Sequence, residues 1–266
     1  KDKNLFFSVN VEGTDNILKS ALSSKVKKLI YTSSSAIYGV PEKNPVNEEM
    51  TPVPKEDYGK AKYEAEKLCE GYINKGLDVI MIRPRTILGH GRLGIFQILF
   101  DWIKDNKNVY VVGSGNVKFQ FIHAHDLMSA YMLIYKSGIS GNYNVGTDSF
   151  GTLRQALENV ISHAGSESKV KSLPESLTIN TLRVLDFLRL SPLAPWHYLT
   201  YHKEFHFDVK PLLDLGWQPK YSNDNMFFES YDWFIENFEK LIDLDGASPH
   251  RRPVKQSILK ILKWFS

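Results

Sequence analysis

The chain has 266 residues, 42% hydrophobic and 24% charged, which excludes disorder, collagen and a small disulfide scaffold and leaves room for one or two domains with a sizeable core. Thirty-three Lys and Arg against thirty Asp and Glu leave a net charge of +3, too small a surplus, without a basic cluster, to specify nucleic acid as a partner. The single cysteine, Cys69, cannot close an internal disulfide; the composition predicts a cytoplasmic protein, and no segment reads as a signal peptide or membrane span.

From the N-terminus, Val9, Val11, Ile17, Leu18 and Leu22 recur at helical spacing, and Lys27 to Thr32 (KKLIYT) follows as a short apolar strand. After a serine run and a Pro-rich stretch, Ala61, Ala65, Leu68, Cys69 and Tyr72 line one face of a helix, with Asp57 as its expected N-cap and Gly76 as its stop. Asp78 to Ile82 (DVIMI) has the continuous apolar form of a buried parallel strand. Beyond Pro84 the pattern predicts a helix over 95–107, strands over 109–112 and 117–122, a helix over 126–136 and a strand over 142–145. Gly113-Ser114-Gly115 reads as a hairpin turn between two of these strands. Strands alternating with helices of this length predict a doubly wound α/β sheet in residues 1–150, with substrate-side segments interleaved in it, followed by a smaller, mainly helical substrate lobe in 151–266.

Tyr58 and Lys62 stand four residues apart at the start of the second helix, one turn from each other on one face. A nearby cation lowers a phenol's pKa toward the working pH and makes it a competent proton donor and acceptor. On the same residues, a surface Tyr and Lys on an amphipathic helix is the plain alternative. Ser33-Ser34-Ser35 follows the first strand, at the strand end where open α/β sheets bind ligands. A hydroxyl there could hold a carbonyl or alcohol oxygen.

Taken in order, Asn10-Val-Glu-Gly-Thr14, the strand, SSSAIYG (33–39), YGKAK (58–62), Ile82-Arg83-Pro84 and Phe121-Ile-His-Ala-His-Asp126 resemble the extended short-chain dehydrogenase/reductase superfamily, and within it the NAD-dependent epimerase/dehydratase family. The resemblance implies a Rossmann-type fold, NAD or NADP as cofactor and a nucleotide sugar as small-molecule substrate. It implies that Ser35 holds the substrate oxygen, that Tyr58 is the acid/base and that Lys62 lowers its pKa and holds the nicotinamide ribose. It further implies that Asn10 supports the catalytic hydrogen-bond network and that Pro84 and Thr86 border cofactor and substrate. A homodimer is the family's expected assembly.

Two departures bear on the substrate. Phe119-Gln120 stands where the family's sugar-nucleotide enzymes carry Arg-Asp, so the diphosphate loses its bidentate fork. Arg83-Pro84-Arg85-Thr86 resembles instead the hydroxysteroid and flavonol reductase relatives, which implies an apolar alcohol as the competing substrate, with Phe119 lining its pocket. Arg85 and Arg92 are candidate replacement cations, each otherwise expected to be solvated. A non-catalytic dinucleotide-binding sensor is the third reading. The family also opens with a Gly-rich strand–turn–helix that cradles the cofactor pyrophosphate, and no such motif occurs here. The expectation is a fragment, inactive alone, that lacks on the order of ninety N-terminal residues.

His197, His202 and His206 sit in an aromatic stretch without a ligand set and are expected to be core or surface histidines rather than metal ligands. Residues 254–265 combine Val254, Ile258, Leu259, Ile261, Leu262, Trp264 and Phe265 with Lys255, Lys260 and Lys263. That pattern predicts a basic amphipathic helix, either docked on the second lobe or in peripheral contact with a membrane.

Overall fold

The computed structural model describes residues 3–188 and 195–242 together with Lys263. In chain order the elements are α1 (Lys3–Phe7), a π-helical turn (Ser8–Glu12), α2 (Gly13–Ser23), β1 (Leu29–Thr32), a 3-10 turn (Ser35–Tyr38), α3 (Asp57–Ile73), β2 (Val79–Pro84), β3 (Thr86–Leu88), α4 (Phe96–Lys104), β4 (Val109–Val112), β5 (Phe121–His123), α5 (Ala124–Ser137), β6 (Asn142–Val145), α6 (Leu153–His163), β7 (Val170–Leu173), α7 (Glu175–Phe187), α8 (Pro195–Thr200), α9 (Lys210–Asp214), α10 (Asn223–Glu236) and α11 (Phe238–Ile242).

The chain forms two compact units that interleave in sequence. The first comprises residues 1–86, 125–148 and 205–220, and the second 87–124, 149–204 and 221–266. The two units therefore do not divide at one boundary near position 150, because 205–220 returns to the first. Its pull is physical: Val46 bridges Phe207 in a parallel ladder, Leu212 is fully buried, and the Trp217 indole N–H donates to Ser129 Oγ at 2.9 Å.

In the first unit β1, β2 and β6 form a parallel sheet in that order, with Leu29 opposite Val79 and Ile82 opposite Tyr143. All six β2 residues are buried, which accounts for the unbroken apolar run at its start. Tyr31, Val79 and Met81 share one face of the sheet with Leu18 and Ala21 of α2 and with Ala65, Cys69 and Tyr72 of α3. This is the face that the sequence periodicity predicts for α3. The helix begins one residue earlier than expected, since Glu56 holds the N-cap backbone and Asp57 is already helical.

The second unit is built around Phe96, Phe100, Phe119, Phe121, Phe227 and Phe234, whose rings meet mostly edge to face. The structure corrects two local expectations here. The strand predicted over 117–122 is Phe121–His123, pairing with β3, while Lys118 forms an isolated bridge to Thr152. Gly113 and Gly115 do turn the chain, with φ of 70° and 72°, but β4 pairs in parallel with β7, so the turn is not a hairpin.

Candidate active site

Three elements of the first unit converge at the carboxyl end of its sheet. At the end of β1 the Ser33 N–H still donates to the Ile82 carbonyl, at 2.7 Å, before the chain leaves the ladder. Ser34 Oγ then accepts from the Ala36 N–H at 3.2 Å and caps the 3-10 turn that carries Ser35. Ser35, Ala36, Ile37 and Tyr38 are all buried.

The first turn of α3 presses on that 3-10 turn. A Cβ built on Gly59 would lie 2.5 Å from the Ala36 carbonyl oxygen, closer than side-chain carbons come to backbone. The glycine between Tyr58 and Lys60 is thus what allows the phenol-bearing turn to approach the serine-bearing one. Gly59→Ala is expected to force the two apart and to lower the unfolding free energy by about 1–3 kcal/mol, the usual cost of overpacking. Urea denaturation measures it.

Lys62 crosses from α3 to β1, where its ammonium donates to the Thr32 carbonyl at 2.9 Å and lies 5.0 Å from the centre of the Tyr31 ring. Burial holds its pKa below the ordinary lysine value, with the neighbouring Cys69 and Glu66 acting in the opposite sense. Tyr58, one turn before it, is 38% exposed and meets Phe6 edge-on with ring centres 6.1 Å apart. Asn10 lies in the π-helical turn and donates from Nδ2 to the Phe6 carbonyl at 3.0 Å, while Thr14 Oγ1 donates to the Asn10 carbonyl at 2.6 Å. Such turns often mark functional positions, and no spacing in the sequence announces one.

Pro84 closes β2 opposite Val145, and the Arg85 N–H donates to the Val145 carbonyl at 2.8 Å. Thr86, half-buried, opens β3. Arg85 is not solvated: it is 1% exposed, with its guanidinium 3.8 Å from the Phe205 ring centre and 5.6 Å from that of Phe207. Arg92 is exposed, as expected. Phe119 is 1% exposed, packed against Phe121 and Tyr201, and belongs to the aromatic core of the second unit rather than to the wall of an open pocket.

A buried polar cluster escapes any reading by spacing. Arg83 donates to both Glu66 carboxylate oxygens, at 2.9 and 2.7 Å, and to the Tyr38 hydroxyl at 2.7 Å. Tyr38 in turn donates toward Asn144 Oδ1 at 3.1 Å, and the Asn144 N–H donates to Glu48 Oε1 at 2.7 Å.

Among the described residues no group of His, Cys, Asp and Glu is arranged to hold a metal ion, and no helix is long and apolar enough to cross a membrane. His202 is buried beside Glu175, and burial holds its pKa down. Apart from Lys263, the basic C-terminal helix expected over 254–265 lies outside the described residues; Lys263 pairs with Asp101 at 2.5 Å and Asp105 at 2.8 Å.

A parallel sheet ordered β1-β2-β6, with α2 and α3 packed on it and Lys62 reaching the carboxyl end of β1, is a Rossmann-like arrangement. The chain belongs to the NAD dependent epimerase/dehydratase family, whose model matches residues 1–146. It is 44% identical over 268 residues to Uncharacterized protein y4nG of Sinorhizobium fredii (strain NBRC 101917 / NGR234), covering 99% of this chain and 67% of that protein. It is 24% identical to the human dTDP-D-glucose 4,6-dehydratase, covering 91% of this chain and 66% of the relative. Its fold matches the UDP-glucuronic acid 4-epimerase of Bacillus cereus, solved in complex with NAD, with a TM-score of 0.68 at 20% identity over 85% of this chain and 67% of that one. The chain thus spans about two thirds of the length of these relatives.

Proposed function

We propose that the full-length protein is an NAD(P)-dependent oxidoreductase that works on an alcohol carbon of a nucleotide sugar, with Tyr58 as proton acceptor and donor. One observation carries the reading: Gly59 seats the Tyr58 turn of α3 on the 3-10 turn of Ser35, while Lys62 of the same helix reaches the carboxyl end of β1. The residues present fit the nicotinamide end of a dinucleotide, since a half-exposed phenol and a partly buried ammonium supply the donors a ribose and a reacting alcohol need. Bound there, the nicotinamide would accept and return hydride. Lys62 would hold the ribose and keep Tyr58 easily ionised. Tyr58 would take the hydroxyl proton as the carbon is oxidised, and Ser35 would fix the oxygen for that transfer.

The named relatives include a UDP-sugar 4-epimerase and a dTDP-glucose dehydratase, which supports a nucleotide sugar as the substrate class. The apolar-alcohol alternative loses its Phe119 pocket wall to the core of the second unit.

The missing Arg-Asp pair has a consequence for binding. UDP is expected to compete weakly with a nucleotide sugar unless another cation replaces the fork, and a competition titration reads this. Tight UDP binding that Arg85→Ala or Arg92→Ala abolishes would identify the replacement. Turnover of a panel of UDP- and dTDP-sugars, followed by product analysis with NAD and with NADP, tests the function itself; oxidation of a steroid-like alcohol with no sugar turnover would overturn it.

A further inference from the structure

We infer that Arg83, Glu66 and Tyr38 act together as a positioning clamp that seats Lys62 on the Thr32 carbonyl and so sets the ionisation of Tyr58. The inference rests on the Tyr58–Lys62 reading above.

The geometry is that of a single guanidinium joining three of the elements that carry candidate site residues: β2, α3 and the 3-10 turn. Arg83 projects from β2, the strand that ends at Pro84. Its fork closes on Glu66 of α3, one turn beyond Lys62, with both oxygens engaged, and the two side chains are 4% and 1% exposed. The Tyr38 hydroxyl, at the far end of the 3-10 turn that begins with Ser35, takes a third hydrogen bond from the same guanidinium. Tyr38 also meets Phe207 edge-on at 5.8 Å, so its ring stays in place if the hydroxyl is removed. A planar fork with fixed partners tolerates little displacement. Along α3, Glu66 and Lys62 are neighbours on one face, so the clamp fixes the depth at which α3 lies on the sheet. That depth decides whether the Lys62 ammonium reaches Thr32 or swings into solvent, where its pull on the phenol would be screened.

The test titrates Tyr58 directly in the 266-residue chain labelled with fluorotyrosine, using 19F NMR and assigning the Tyr58 signal by its loss in Tyr58→Phe. Tyr38→Phe changes no charge and deletes only the clamp's hydroxyl. It is expected to raise the Tyr58 midpoint, lowering the ionisation constant at least about threefold. Glu66→Gln gives a sign test where it folds: removal of a negative charge alone would ease Tyr58 ionisation, whereas release of the clamp makes it harder. Lys62→Met sets the largest shift available. If Lys62→Met moves the midpoint and Tyr38→Phe does not, the clamp is overturned and the Tyr–Lys reading stands. If Lys62→Met moves nothing, the Tyr–Lys reading fails and takes the inference with it.

Discussion

Tyr58→Phe is expected to lower turnover in the full-length protein at least about a hundredfold while leaving cofactor affinity nearly unchanged, the signature of a lost general acid–base group. The substitution removes only the phenolic oxygen. The ring keeps its edge contact with Phe6 and its place on the first turn of α3, and Lys62 keeps its hydrogen bond to Thr32. A fall in kcat with dinucleotide binding intact, read by steady-state kinetics beside fluorescence titration, therefore assigns the loss to proton transfer. Near-normal turnover would remove Tyr58 from the mechanism.

The second large effect is on stability. Glu66→Ala leaves the Arg83 guanidinium buried without its bidentate partner, and breaking a buried pair from one side typically costs about 3–5 kcal/mol. A domain whose whole stability is about 5–15 kcal/mol would feel that as a large drop in the urea midpoint with an unchanged slope. A double replacement, Arg83→Met with Glu66→Leu, removes both charges together and is expected to recover much of the loss, because well-packed apolar side chains often replace a buried ion pair at little cost. If Glu66→Ala unfolds at the wild-type midpoint, the pair does not hold the first unit together.

The parts of this molecule that depend on local spacing were readable from residues alone. Ala61, Ala65, Cys69 and Tyr72 bury one face of α3 because a helix returns to the same side every three or four positions, and residues 79–82 form a strand because both faces are covered. What depends on distant partners was not readable. The β4–β7 pairing joins Val109–Val112 to Val170–Leu173 across 61 positions, and Val-Lys-Ser-Leu shows no alternation that would mark it as a strand. Phe205–Lys220 belongs to the first unit through Phe207 and Trp217, which look in the sequence like any aromatic residues of a helical lobe. At the site, Tyr58, Lys62 and Ser35 stood out by motif. Arg83 stood in the Ile82-Arg83-Pro84 motif with no role assigned: its value lies in Glu66 and Tyr38, 17 and 45 positions away. Arg85 was misjudged because an arginine next to proline gives no sign of the Phe205 ring that covers it.

In the proposed reaction Tyr58, on the base set by Lys62 and Ser35, moves the proton that accompanies hydride transfer at a sugar carbon. The most direct measurement is a single turnover of the full-length protein with NAD or NADP and a nucleotide sugar deuterated at the carbon to be oxidised. The account predicts that reduced nicotinamide forms carrying the deuterium, more slowly than with the unlabelled sugar, and that Tyr58→Phe binds both partners yet forms it at least about a hundredfold more slowly. Product formed by the wild-type protein without any reduced nicotinamide, or reduced nicotinamide formed equally fast in Tyr58→Phe, would contradict it.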